Sequence, residues 1–198
     1  KKNSKLIEEK DFENYQETID ALIDEVFIDA YRLDPAKKVS YNGQRLVVKE
    51  VVKRFAHRIV EMDMAYAPFT MEALEQGGFT FTMNIEKYPY KAVIGGKIDR
   101  VDRKADVLRV IDYKTGKDKL TFESVASLFS RNTRRNKAAF QTLLYALLYR
   151  QNYPGAKADR GKVKMIPGLI NRMNLFDDGF TFGLKVGKDQ ITDVEVLL

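Results

Sequence analysis

Two extended runs, Lys91 to Val101 and Val107 to Lys114, flank a loop of hairpin length, Asp102 to Asp106. Such a pair folds most simply as neighbouring antiparallel strands, and this restricts the fold more than any other feature of the chain. The second run closes on Asp112-Tyr113-Lys114. Side chains alternate across a strand, so Asp112 and Lys114 leave on one face and Tyr113 on the other. In a hairpin Asp99 reaches that face too, and two carboxylates and a lysine are expected to gather near the strand ends. Hard oxygen ligands of this kind suit Mg²⁺ or Mn²⁺ held beside an activated water. The bland alternative is a strand end whose charges pair with each other or with solvent.

The rest of the chain supplies a helical third and a mixed remainder. Residues 12–32 carry Phe12, Tyr15, Ile19, Leu22, Ile23, Val26 and Phe27 at helical spacing, and Asp34-Pro35 ends the pattern. A longer helix is expected from Ser40-Tyr41-Asn42-Gly43 to about Ala67, with Val48, Val51, Val52, Phe55, Ile59 and Met62 on its apolar stripe. Phe79 to Ile85 reads as the first strand. Residues 118–135 read as irregular, with one helical turn around Phe122–Phe129. Lys137 to Asn152 reads as a helix ended by Pro154-Gly155. Val163 to Leu175 reads as extended, with a bulge at Pro167-Gly168. Asp177-Asp178-Gly179 is a turn before a strand from Phe180 to Val186. The expected division is a helical extension over 1–70 and a mixed α/β core over 71–198.

Composition narrows the chemistry. The 198 residues hold no cysteine, which excludes disulfides, thiolate zinc sites and an iron–sulfur cluster within them. No run approaches the roughly 20 apolar residues of a membrane span. The net charge of +6 suits a polyanionic partner. The local block Arg131-Asn132-Thr133-Arg134-Arg135-Asn136-Lys137 reads either as a solvated loop or, beside the acid pair, as a phosphate contact. Starting at Lys1 and stopping within a continuing pattern, the chain reads as a piece of a longer protein.

Gln141 and Tyr145 stand one helical turn apart and share a face at the edge of the apolar side. There they would bond a phosphate or orient the lysine, or simply border the core. Taken in order, Gly96-Lys97-Ile98-Asp99-Arg100-Val101-Asp102, Val110-Ile111-Asp112-Tyr113-Lys114-Thr115-Gly116 and Phe140-Gln141-Thr142-Leu143-Leu144-Tyr145-Ala146 resemble the RecB-type branch of the PD-(D/E)XK nuclease superfamily. That branch includes the nuclease domains of RecB and AddB and the CRISPR-associated RecB-like exonucleases. The resemblance covers about residues 72–185, and the helical third enters only as a variable region.

The resemblance implies a restriction-endonuclease-like mixed sheet flanked by helices. It implies Asp99 and Asp112 as ligands of Mg²⁺ or Mn²⁺ and Lys114 as the catalytic lysine, and it places Gln141 and Tyr145 near the DNA backbone. Apart from the resemblance, the backbone carbonyl of Tyr113 reads as a third ligand beside the two acids, and Arg131, Arg134 and Arg135 of the basic block read as phosphate contacts. Glu75 resembles an acid found shortly before the first strand of this branch, and reads equally as a helix-end surface glutamate. The branch also supplies an upstream histidine after a small-residue turn. The lone histidine, His57, lies mid-helix in another context and reads as structural, so that ligand is expected before Lys1. The implied activity is metal-dependent cleavage of DNA, exonucleolytic in character. The implied parent is a cytoplasmic bacterial helicase–nuclease of double-strand break repair, with a helicase domain or partner subunit. The alternative is a nuclease-fold module that binds DNA or a partner without cutting.

Overall fold

The computed structural model describes residues 4–34, 41–131, 135–153, 155 and 162–197. The chain divides into a unit of Lys1–Leu6 with Phe69–Leu198, and a helical unit of Ile7–Pro68. Among the described residues, no helix is long and apolar enough to cross a membrane.

In the helical unit, α1 (Tyr15–Ala30) packs with α2 (Gly43–Tyr66). Asn42 caps α2 by accepting the Arg45 amide at 3.0 Å. Only the second half of the expected α2 stripe is covered: Phe55, Ile59 and Met62 are half-buried, whereas Val48, Val51 and Val52 are exposed. Lys49 is buried instead, ion-paired to Asp24 with its ammonium over the Tyr41 ring. One and two turns further on, Lys53 and His57 both reach Asp20 at 3.0 Å. Ion pairs from Asp20 and Asp24 to positions 49, 53 and 57 thus bridge the two helices where the three valines do not. His57 is accounted for by this contact and by the Tyr15 ring beside it.

The other unit is a mixed α/β core. Its main sheet runs β1 (Lys5–Ile7), β2 (Phe69–Asn84), β3 (Lys91–Lys104), β4 (Val107–Lys114) and β6 (Lys164–Asn171) in that order. β2, β3 and β4 pair antiparallel, and β4 pairs parallel with β6. A parallel neighbour requires a crossover, which is α3 (Lys137–Asn152). Asn136 fixes where α3 begins, accepting from the Ala139 amide at 3.0 Å and donating to the Lys119 carbonyl at 2.7 Å. Ala139, Ala146, Leu148 and Tyr149 of α3 pack with Val101, Leu108, Val110, Met165 and Leu169 of the strands. A second sheet holds β5 (Thr121–Phe122), β7 (Lys185–Val186) and β8 (Asp189–Gln190).

Two strand expectations are corrected. β2 begins at Phe69, ten residues before the predicted start, and takes in Glu72 to Glu75. Register shifts between Met71 and Ala73 and between Gln76 and Phe79 break its alternation, so no period of two is legible. The expected bulge at Pro167-Gly168 is absent, because β6 keeps unbroken register with β4 from Lys164 to Asn171. Gly168 is required by close approach: a Cβ there would lie 2.1 Å from the Phe182 ring. The strand expected over Phe180–Val186 shrinks to Lys185–Val186, preceded by a bridge from Gly183 to Gly168.

Candidate active site

The β3–β4 ladder ends at Arg100 and Ile111. One step beyond lie Asp99 and Asp112. Here the Asp99 carboxylate replaces a backbone acceptor, taking the Tyr113 amide at 3.0 Å. Asp112 is 1% exposed, and its Oδ2 is buried. The Lys114 ammonium lies 2.7 Å from that oxygen as its ion-pair partner.

Burial pushes the Asp112 carboxyl up to about 6; Lys114 opposes the rise, while Asp99 adds to it through its charge and as a hydrogen-bonding neighbour. Two carboxylates and one ammonium therefore share one point at the strand ends. Among the described residues no third acid or histidine forms a metal-holding group with them.

Tyr113 is gripped from both ends by consecutive residues of β3. Asp99 holds its amide, and Arg100 donates to its hydroxyl at 3.2 Å. Arg100 belongs to a buried cluster that sequence reading missed. Asp102, fully buried, accepts from Arg100 Nε at 2.8 Å, from Arg109 Nε at 2.6 Å and from Arg109 Nη2 at 2.9 Å. The Arg109 guanidinium lies over the rings of Phe69 and Phe182. The signal was available, since Arg100 and Asp102 complete the same short motif as Asp99.

α3 brings in Gln141 and Tyr145, with Gln141 Nε2 donating to the Tyr145 hydroxyl at 2.6 Å. The Tyr145 ring lies over Gly96 so closely that a Cβ there would sit 2.6 Å from Cε1. Gly96→Ala should therefore displace the tyrosine and cost about 1–3 kcal/mol in chemical denaturation, because the packed ring has to move. An unchanged midpoint would contradict this account of the glycine.

Glu75 is corrected in context: it lies inside β2, before the irregular step at Gln76, with φ of 48°. It is neither before the strand nor at a helix end. Its carboxylate pairs with Lys97, and this pairing holds the Lys97 ammonium above its ordinary value. Arg131 and Arg135 are exposed beside the start of α3, and Arg134 lies outside the described residues.

A mixed sheet with a crossover helix and an acid–acid–lysine cluster at the strand ends defines a nuclease-type α/β core. The model of the PD-(D/E)XK nuclease superfamily matches residues 4–174, and the chain belongs to that superfamily. The match runs through the helical unit as well, beyond the span that the three motifs cover. Searches of curated proteins and of solved structures returned no significant match.

Members of this superfamily typically use divalent metals. The residues present fit such an ion. Asp112 supplies a buried carboxylate held by the Lys114 ammonium, Asp99 brings a second carboxylate beside it, and both are hard donors.

Proposed function

We propose that this chain is a metal-dependent deoxyribonuclease domain of the RecB/AddB type, acting on DNA within a helicase–nuclease of double-strand break repair. The observation that supports this best is the meeting of Asp99, buried Asp112 and Lys114 at the ends of β3 and β4. Asp99, Asp112 and the Tyr113 carbonyl would hold Mg²⁺ or Mn²⁺. A strand residue's carbonyl leaves on the same side as its amide, which for Tyr113 points to Asp99. When bound, the ion supplies Lewis acidity and a water that is nucleophilic at neutral pH.

The protein's own groups do the rest. Lys114 keeps Asp112 ionised, orients a water through its ammonium, and offsets charge building on the phosphate. Gln141 and Tyr145 position the backbone of the nucleic acid, with Tyr145 seated on Gly96. Glu75, through Lys97, sets the charge at the rim of the cluster.

The test is cleavage of labelled single-stranded DNA with Mg²⁺, compared with chelator. Lys114→Met should lose more than about a hundredfold in rate. It should still take up Mn²⁺ at pH 8 by calorimetry. Because Lys114 lowers the Asp112 pKa, Mn²⁺ uptake by the variant should fade at a higher pH than in the native chain. Cleavage that survives Lys114→Met unchanged would sink the enzymatic reading. Charge reversal at Arg131 and Arg135 should weaken every oligonucleotide equally and flatten the salt dependence, because phosphate contacts carry no sequence information. A loss confined to some sequences would contradict their role as phosphate contacts.

A further inference from the structure

β4 leaves β3 at Arg100, while β2 continues beside β3 as far as Asn84 and Lys91. Beyond Arg100 the hairpin therefore has no sheet neighbour on its β3 side among the described residues. Its tip carries Tyr88 and Tyr90, which are 64% and 67% exposed. The two rings are nearly parallel, at 20°, with centroids 6.5 Å apart. The turn beneath them is pinned: the Tyr88 amide donates to the Ile85 carbonyl at 3.1 Å, and the Ile85 amide to the Tyr90 carbonyl at 3.3 Å. Pro89 between the two tyrosines fixes a further backbone angle. Neither ring belongs to the core cluster.

Large aromatic side chains held in water on a tied-down turn do nothing for the core and are ready to take up a planar ligand. Two near-parallel, exposed rings offer faces on which a base can stack. Lys87 and Lys91 flank the pair against the single acid Glu86, so the local charge favours a polyanion over an acidic protein surface. We propose that Tyr88 and Tyr90 form a base-stacking site for single-stranded nucleic acid. Stacking of this kind tolerates any base, because each presents a π-face.

The same strand that starts at this tip carries Asp99. From Lys91 to Asp99 is on the order of 27 Å at about 3.3 Å per residue. A stacked strand covers that distance in roughly eight nucleotides. Only this alignment of tip and cleavage centre rests on the nuclease reading; the stacking site itself does not.

The chain holds no tryptophan and ten tyrosines, so the part of the quenching that the leucine variant loses is what reports this pair. Affinity for labelled oligothymidylate is measured by anisotropy in chelator, where no cleavage intrudes. Tyr88→Leu with Tyr90→Leu should bind at least about fivefold more weakly and lose the quenching of tyrosine emission. Tyr88→Phe with Tyr90→Phe should restore native affinity, because the ring is what stacks. A duplex of equal length should bind all three proteins alike, its bases being already stacked. Equal oligothymidylate affinity of the leucine variant and the native chain overturns the site. So does an equal loss on single strand and duplex, or a phenylalanine variant as weak as the leucine one. If the native chain never cuts DNA and the leucine variant still loses oligothymidylate, the stacking site stands and the nuclease reading falls.

Discussion

Asp112→Asn should abolish cleavage and stabilise the metal-free protein. Losing the proposed metal ligand and the anchor for Lys114 is expected to lower the rate by more than about a hundredfold. The stability gain follows from linkage. The folded carboxyl is pushed up to about 6 by burial, above its ordinary 3.8. A raised pKa contributes stability that is complete below the unfolded value and lost as pH climbs through the folded one. At pH 8 the native chain therefore carries a buried, disfavoured carboxylate, at a cost on the order of 3 kcal/mol. Asparagine removes that charge. The variant should gain about this much in denaturant titrations with chelator at pH 8, and the gain should shrink from about pH 7 and vanish near pH 4. A variant less stable than the native chain at pH 8 would contradict the picture of a site held at the expense of the fold.

The second large effect is expected at Asp102, away from the reacting groups. Asp102→Ala leaves the guanidiniums of Arg100 and Arg109 buried without their shared carboxylate. Removing one partner from a buried ion cluster costs about 3–5 kcal/mol. For a unit of this size the melting temperature should fall by about 10–20 °C. Replacing the whole cluster, with Asp102→Leu, Arg100→Met and Arg109→Met together, should recover most of the stability, since apolar packing substitutes well for buried ion pairs. It should not recover the hold on the Tyr113 hydroxyl, so cleavage should stay low in a well-folded protein. A single Asp102→Ala variant melting within a few degrees of the native chain would show that the cluster is not held as described.

Much of the core was legible because its signals are local. β4 and α3 fall where the extended run Val107–Lys114 and the helical spacing of Lys137–Asn152 put them, and the chain carries its motif acids on adjoining strands. Signals that depend on partners were lost. The start of β2 was hidden because its bulges scramble the alternation around Glu72–Glu75. The first half of the α2 seam was misplaced because Lys49 is buried only where Asp24 and the Tyr41 ring meet it. The Arg100–Asp102–Arg109 cluster sat inside a motif already singled out, yet nothing along the chain says that three charges will be buried together.

The order of residues by itself determined the superfamily, the strand that ends Asp112-Tyr113-Lys114, and the helix that carries Gln141 and Tyr145, because short-range periodicity and capping act between near neighbours. Only the tertiary structure decided the elevated Asp112 carboxyl, the seating of Tyr145 on Gly96 and the grip on Tyr113. Those depend on desolvation and on contacts between segments distant in the chain, and both arise only when the sheet and its crossover helix close together.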